Sequence, residues 1–205
     1  FEEHRFDAIV LERRGVPVQA EDALSASLAA IRERGLDMLP WSEAARRLRA
    51  RVQALRGWMP ELALPDLSDA CLLDTLEHWL VPHLVGKHRL DALDGEALMQ
   101  ALAAGLDHAQ RRALDLHAPA SLRVPSGRMH QLEYAPDAPP VLAVKLQELF
   151  GLADTPRVAA GRVPVTLHLL SPAGRPIQVT QDLEGFWART YPQVKKELKG
   201  RYPRH

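Results

Sequence analysis

The sequence lacks the features that most directly identify a chemistry or a compartment. Its 205 residues include a single cysteine, Cys71, so no disulfide can form within the chain, as is typical of a reducing cytoplasm. No apolar run approaches the roughly 20 residues needed to cross a bilayer, and no signal-peptide pattern opens the chain. We therefore expect a cytoplasmic location and no membrane partner.

Catalytic motifs are also missing. A nucleotide-driven motor needs a glycine-rich phosphate cradle with a lysine, and an acidic group for magnesium. The chain contains no G-x-x-x-x-G-K-[ST] string and no Asp-Glu-Ala-His string. Ser126 and Ser171 lie in turn-like segments without the Gly-x-Ser-x-Gly elbow that activates a serine. We predict that this chain has no catalytic residues and cannot hydrolyse ATP alone.

The histidines and the cysteine do not favour a metal site. His78, His83 and His88 are five residues apart, whereas a spacing of three or four would place ligands on one helix face. Pro82 also interrupts the segment. Cys71 lies beside inward-facing leucines, which predicts a buried thiol rather than a nucleophile. We expect neither a metal nor another cofactor in this chain.

Charge is balanced over the whole chain but uneven along it. The 26 Lys and Arg residues equal the 26 Asp and Glu residues. Residues 61–117 hold 4 basic against 10 acidic side chains, a net charge of −6, whereas residues 118–205 hold 12 against 7, a net charge of +5. This distribution indicates local anion binding near the C-terminal end, not a chain that coats nucleic acid along its length.

Hydrophobic periodicity predicts an α+β fold, with a helical bundle followed by a small antiparallel sheet. Segment 6–11 predicts a strand whose partner must lie elsewhere. A bundle of five helices follows, with an apolar stripe along the second. The predicted N-caps are Asp22, Ser42, Ser68, Asp94 and Asp107.

The last third predicts two hairpins with flanking helices. Alternation in 165–170 and 177–180 flanks a turn at 171–176, and a similar pattern flanks 125–127. Leucines at helical spacing in 141–150 predict a helix. Asp182 is the predicted cap of the next helix, and Pro192 lies near the start of the last.

The string from Pro139 to His205, PPVLAVKLQELFGLADTPRVAAGRVPVTLHLLSPAGRPIQVTQDLEGFWARTYPQVKKELKGRYPRH, closely resembles the C-terminal domain of bacterial HrpB-type ATP-dependent helicases of the DEAH/RHA group. Residues 39–46 (LPWSEAAR) resemble the helical region of that family, and 124–128 (VPSGR) the start of its C-terminal domain. One departure is Ala160, where the family pattern leads us to expect a second glycine beside Gly161. If the backbone there has positive φ, the alanine is strained.

The resemblance implies a domain division and an activity for the parent protein. Residues 1–19 would close an upstream OB-like β-domain, 20–118 would form the helical region, and 119–205 the C-terminal α+β domain. Phe1 in place of methionine and the Pro-Arg-His end predict a fragment of a longer polypeptide. The parent would be an ATP-dependent RNA helicase whose RecA-like motor domains, upstream of Phe1, bind ATP and magnesium. Those domains are the first expected partner.

Single-stranded RNA or DNA is the second expected partner, and the chain would guide it past the motor. An arginine follows a glycine at both predicted hairpin tips, and further cations flank a neighbouring loop and the last helix. Phe186, Trp187 or Tyr202 can stack on bases, although the leucine pattern around the first two favours a core role. The candidate phosphate contacts are Arg128, Arg157, Arg162, Arg175, Lys195, Lys196, Lys199 and Arg201.

Two alternatives stay open. A protein-interaction module of the helicase would not touch nucleic acid, and its acidic stretch would dock a basic partner. A structural brace would only stabilise the parent protein. The arginines at positions 46, 47, 49 and 51 need no ligand in any of these cases, because they form the polar side of an amphipathic helix.

Overall fold

A computed structural model describes residues 2–6, 9–14, 20–84 and 93–201. The chain begins with two strands, β1 (Glu2–Phe6) and β2 (Ile9–Arg14), which pair antiparallel to each other. The prediction of one unpartnered strand at 6–11 is wrong in this respect. Charged residues ahead of Phe6 form the partner strand, and an apolar pattern does not reveal them.

Six α-helices form the described part of the helical region. They are α1 (Ala20–Arg34), α2 (Glu43–Trp58), α3 (Asp69–Asp74), α4 (Leu76–Trp79), α5 (Gly95–Ala104) and α6 (His108–His117). The third predicted helix is divided into α3 and α4 at Thr75, whose backbone leaves the helical region. None of the described helices is long and apolar enough to cross a bilayer.

Four of the five predicted caps are confirmed. Ser42, Ser68, Asp94 and Asp107 each accept a hydrogen bond from the amide three residues later, which satisfies a donor that the helix leaves unpaired. The side-chain oxygen of Gln110 accepts a hydrogen bond from the amide of Asp107 at 3.0 Å, which completes a capping box. Asp22 lies inside α1 instead of preceding it, so that cap is wrong.

Leucine burial holds the helices together. On α2 the predicted stripe faces inward, and its members Val52 and Leu55 are fully buried. Each buried leucine contributes roughly 1.5–3 kcal/mol relative to an exposed one. The largest fully buried side chains of the helical region are Ile31, Leu55, Leu76, Leu80, Leu98 and Leu102.

The remaining strands are short and form one larger sheet and two small ladders. They are β3 (Ser121–Arg123), β4 (Met129–Gln131), β5 (Glu133–Ala135), β6 (Ala138–Lys145), β7 (Arg157–Val158), β8 (Val163–Pro164), β9 (Thr166–Leu170) and β10 (Pro176–Thr180). The four-stranded sheet has the order β10-β9-β6-β5, and the pairs β3–β4 and β7–β8 are separate. Both predicted hairpins are confirmed.

The sheet is mixed, not wholly antiparallel, because β6 and β9 pair parallel. Residues 141–150 were predicted as a helix, and this is wrong: they hold the end of β6 and a 3-10 turn, Leu146–Leu149. Leu142, Val144 and Leu146 are buried at every second position, which is a strand period. The spacing of the leucines at 142, 146 and 149 also fits a helix, so this spacing alone does not distinguish a helix from a strand.

The last helical stretch contains an irregular turn. Asp182 caps α7 (Leu183–Gly185), as predicted, and a π-helical turn, Phe186–Thr190, leads into α8 (Tyr191–Arg201). Pro192 explains the wide turn, since it lacks an N–H and its ring would crowd the carbonyl of Ala188 in a regular α-helix.

The backbone at Ala160, where the family resemblance predicts a glycine, is left-handed. Ala160 has a φ of 54°, and its neighbours Ala159 and Gly161 have φ values of 51° and 82°. For a residue with a Cβ atom this region costs roughly 1–2 kcal/mol. Two consecutive alanines therefore carry strain just before β8.

The helical and sheet regions share a continuous core and several hydrogen bonds. The Arg51 side chain of α2 donates to the carbonyl of Ala118 at 2.7 Å. The amide of Ala159 donates to the carbonyl of His117, also at 2.7 Å. Tyr134 donates its hydroxyl to Pro119, and burial raises its pKa. The sheet is thus fixed relative to the helices, which makes its two ends distinct surfaces.

Candidate nucleic-acid interface

The parallel strand pair brings two turns to one end of the sheet. Lys145 at the end of β6 is the partner of Leu170 at the end of β9. Because the two strands run in the same direction, the segments that follow them, Leu146–Leu149 and 171–175, leave the sheet at the same end. Arg175 lies in the second of these turns.

Arg128 lies at this end too, because the β3–β4 turn is attached to the Leu146–Leu149 turn. The amide of Ser126 donates to the carbonyl of Glu148 at 3.3 Å. The Arg128 guanidinium is 3.5 Å from the Glu148 carboxylate, yet 71% of its side chain is exposed. Arg128 and Arg175, which we call the arginine rim, therefore lie at the same end of one sheet.

The turn that carries Arg175 is well ordered by its own backbone. The amide of Ser171 donates to the carbonyl of Arg175 at 2.8 Å, and the amide of Arg175 donates to the Ser171 hydroxyl at 3.1 Å. Gly174 has a φ of 78°, a conformation that favours glycine. The backbone is thus fixed while the Arg175 residue is exposed to solvent.

Glu148 is the residue on which the Arg128 tip depends, and sequence reasoning missed it. Its side chain is only 8% exposed, and its carboxylate is 2.6 Å from the His130 ring and 3.5 Å from the Ser126 hydroxyl. A buried carboxylate requires such partners. The available signal was an acidic residue among the buried leucines of Leu146–Leu149.

Arg157 and Arg162 lie at the opposite end of the sheet, ahead of β9, and both have internal partners. Arg157 donates to the carbonyl of Gly161 at 2.6 Å. Arg162 donates to the carbonyl of Trp58 at 3.1 Å and pairs with Glu61 at 2.5 Å. This hydrogen bond lowers the pKa of Glu61 and raises that of Arg162. Arg162 therefore ties the sheet region to the end of α2, whereas Arg157 stabilises its own turn.

The lysines of α8 are only partly described. Lys195 and Lys196 are exposed, and the Lys195 ammonium is 6.0 Å from the centre of the Tyr191 ring. The side chains of Lys199 and Arg201 lie outside the described residues, as do Tyr202 and His88.

An aromatic groove, which sequence reasoning also missed, adjoins α8. Phe150, Leu152, Trp187 and Tyr191 line a shallow space of about 300 Å³ together with Gly151 and Ala153. Phe186, predicted as core, is 3% exposed and lies beneath the groove. The sequence feature that could have indicated the groove is Phe150, a large apolar residue directly before Gly151 at the end of the predicted helix.

Three of the four arginines at positions 46, 47, 49 and 51 of α2 have partners within the protein. Arg49 donates to the carbonyl of Leu67 and pairs with Asp69 at 2.5 Å. Arg51 pairs with Asp115 at 2.9 Å, and Arg47 with Glu43 at 3.0 Å. The Arg49 and Arg51 contacts tie α2 to α3 and α6.

The same contacts account for much of the acidic stretch. Of its carboxylates, Glu61, Asp69, Glu77 and Asp115 pair with arginines from other elements, and Asp66 lies 3.5 Å from Arg56. The pKa of Asp66 is lowered by the hydrogen bond from the amide of Ser68. The net charge of −6 is thus largely compensated in space.

Metal ligation has no structural support in the described part of the chain. No three His, Cys, Asp or Glu side chains among those residues are grouped so as to hold an ion. His78 is exposed and His83 half-buried. Cys71 is half-buried, less enclosed than predicted.

Comparison with known proteins gives a consistent result over nearly the whole chain. A family model described as ATP-dependent helicase C-terminal, HrpB_C, matches residues 79–205. The ATP-dependent RNA helicase HrpB of Escherichia coli K12 is 46% identical over 187 residues, which are 91% of this chain and 23% of that protein.

Two crystal structures of E. coli proteins share the fold. The DExH-box NTPase HrpB superposes with a TM-score of 0.86 at 43% identity, over 96% of this chain and 24% of that one. The DEAH/RHA helicase HrpB superposes with a TM-score of 0.78 at 41% identity, over 99% and 26%. The chain spans about a quarter of the length of these relatives.

Proposed function

This chain belongs to the HrpB family of ATP-dependent helicases, of which it is the C-terminal region, and we propose that it guides single-stranded nucleic acid beside RecA-like motor domains of the same polypeptide. ATP and magnesium would bind those motor domains, because this chain has no phosphate cradle. The observation that carries the proposal is the parallel β6–β9 pair, which places the arginine rim at one end of the sheet.

The rim has the chemistry that phosphate recognition requires. Arginine presents a planar fork of donors to phosphate oxygens, and both rim arginines have side chains open to solvent. Their backbones are held by the Glu148 contact and by the Ser171 turn, so binding would cost little backbone ordering. Lys195 and Lys196 supply further positive charge on α8.

The protein-interaction alternative has less support. It depends on an acidic face, and five of the carboxylates in that stretch lie within 4.0 Å of an arginine of another element. A docking surface for a basic partner needs carboxylates that are open to that partner. Pairing with these arginines reduces the negative charge that the acidic stretch presents to a partner.

Fluorescence anisotropy with labelled single-stranded RNA over a salt series tests the proposal. Each phosphate contact contributes a slope of about 0.7 log units of affinity per log unit of salt. Arg128→Gln and Arg175→Gln should each reduce the slope by about this amount. Arg112→Gln, which removes an exposed arginine of α6, is the matched control and should leave the slope unchanged.

Two results would contradict the proposal. One is no binding of RNA at low salt, and the other is a slope that stays the same in both rim variants. Single-stranded DNA of the same sequence, measured in parallel, gives the preference between the two nucleic acids.

A further inference from the structure

The aromatic groove is built from side chains that hold one another in place. The Trp187 indole N–H donates to the carbonyl of Leu152 at 2.8 Å. Trp187 and Tyr191 meet edge to face, with ring centres 5.1 Å apart and an interplanar angle of 87°. Phe150 completes the cluster at 6.0 Å from Trp187 and 5.9 Å from Tyr191. The rings are thus oriented before any ligand arrives.

Phe150 is the open member of this cluster. Half of it, 51%, is exposed, although a phenylalanine gains more than most residues from burial. The adjacent Gly151 has a φ of 93°, which turns the chain directly after the ring. The π-helical turn that holds Trp187, which Pro192 imposes, is a rare element that occurs frequently at functional sites.

The groove is close to the arginine rim. Phe150 is two residues after Glu148, so their Cα atoms are at most about 7 Å apart. Glu148 contacts Arg128, so the Leu146–Leu149 turn has the rim arginine on one side and the groove directly after it. A strand bound along the rim would have its next nucleotide within reach of the groove.

Charge and apolar distribution favour a nucleobase over a protein segment as occupant. The Lys195 ammonium is 6.0 Å from the Tyr191 ring and exposed, so a cation adjoins the stacking surface. The other large exposed apolar side chains of the described residues lie on different elements from Phe150. They are Met38, Leu116, Met129 and Val179.

We infer that the aromatic groove receives one base of the single strand, stacked against Phe150, with Lys195 beside a neighbouring phosphate. This inference rests on the proposed function and adds a contact that the rim alone does not make. Stacking on aromatic rings tolerates every base, so the groove would grip the strand without selecting its sequence.

The test compares an oligoadenylate with an abasic oligomer of equal length, which keeps the phosphates and lacks the bases. Anisotropy measures the affinity of the full chain for both. Phe150→Leu should weaken oligoadenylate binding roughly tenfold and leave abasic binding unchanged. Phe150→Tyr, which keeps a planar ring, should bind as the parent does. Leu116→Ala, at a side chain 73% exposed on α6, is the control for a lost surface apolar group.

Each other outcome has a distinct meaning. Equal affinity of the parent chain for both oligomers would overturn the stacking contact and leave the proposed function standing. Failure of both oligomers to bind would overturn the proposed function, and this inference with it. An unchanged oligoadenylate affinity for Phe150→Leu, combined with altered self-association in sedimentation, would assign the groove to a protein contact and overturn the inference.

Discussion

At one end of the four-stranded sheet Arg157 and Arg162 donate to carbonyls and a carboxylate of the protein, whereas at the other end Arg128 and Arg175 lie in turns with exposed side chains. All four are arginines near a glycine in a loop of the same region. What separates them is the supply of internal acceptors. Arg162 reaches Glu61 and the carbonyl of Trp58. At the rim, Arg128 has the Glu148 carboxylate at the longer distance of 3.5 Å and keeps 71% of its side chain exposed.

Under the proposed function, one residue type serves the fold at one end of the sheet and phosphate at the other. An arginine whose donors are already satisfied by the protein has fewer left for phosphate. The internally bonded end therefore contributes to stability, and the rim remains available for binding. Substitutions at the two ends should separate these two properties.

The largest expected effect comes from truncating a buried side chain of β6, a central strand of the sheet. Leu142 of β6 is fully buried between β5 and β9, so Leu142→Ala should lower the free energy of unfolding by about 2–5 kcal/mol. RNA binding should fall as well, since both rim turns depend on this strand. Urea denaturation measures the change, and Val179→Ala, at an exposed position of β10, should stay within about 0.5 kcal/mol.

A smaller change of opposite sign in the free energy of unfolding is expected for a substitution at Ala160, close to Arg162. Ala160→Gly relieves the left-handed backbone and should stabilise the chain by about 0.5–1 kcal/mol, after the entropy of glycine in the unfolded state is subtracted. Ala44→Gly, the same change at an exposed helical position of α2, should destabilise by about 0.5–1 kcal/mol. Equal signs for the two variants would contradict the strain at Ala160.

Acid should weaken the carboxylate contacts of the helical region, including the contact of Glu61 with Arg162. Hydrogen bonds from Arg162, from the amide of Ser68 and from Arg32 lower the pKa values of Glu61, Asp66 and Glu77 from 4.5, 3.8 and 4.5. A carboxyl with a lowered pKa stabilises the fold above its ordinary pKa and loses that contribution as pH falls through the lowered value. The free energy of unfolding should therefore decrease below about pH 4.5, by less in Glu61→Gln. Urea denaturation over a pH series measures this, and an identical decrease in the variant would contradict it.

Most local features of this fold were predictable from sequence, although the predictions of the Asp22 cap and of a helix at 141–150 were wrong, and the non-local features were out of reach. The caps at Ser42, Ser68 and Asp107 depend on residues three positions apart, so the sequence contains the whole signal. The parallel pairing of β6 with β9 joins segments more than twenty residues apart, and nothing in either segment specifies it.

In the candidate site, too, the local features were predictable and the contacts between distant residues were not. That Arg128 and Arg175 lie at hairpin tips was predictable, because the turn chemistry is local. That Arg162 meets Glu61, about a hundred residues away, was not. The aromatic groove was hidden for a similar reason, since Phe150 and Tyr191 approach only in the fold.

The most direct test of the account compares two double variants in one RNA-binding and denaturation experiment. Arg128→Gln/Arg175→Gln should lose about 1.4 log units of salt slope and should lower the urea midpoint less than the second pair does. Arg157→Gln/Arg162→Gln should keep the slope and unfold at lower urea. If the second pair loses as much slope as the first, or the first loses none, the assignment of the two ends of the sheet is wrong.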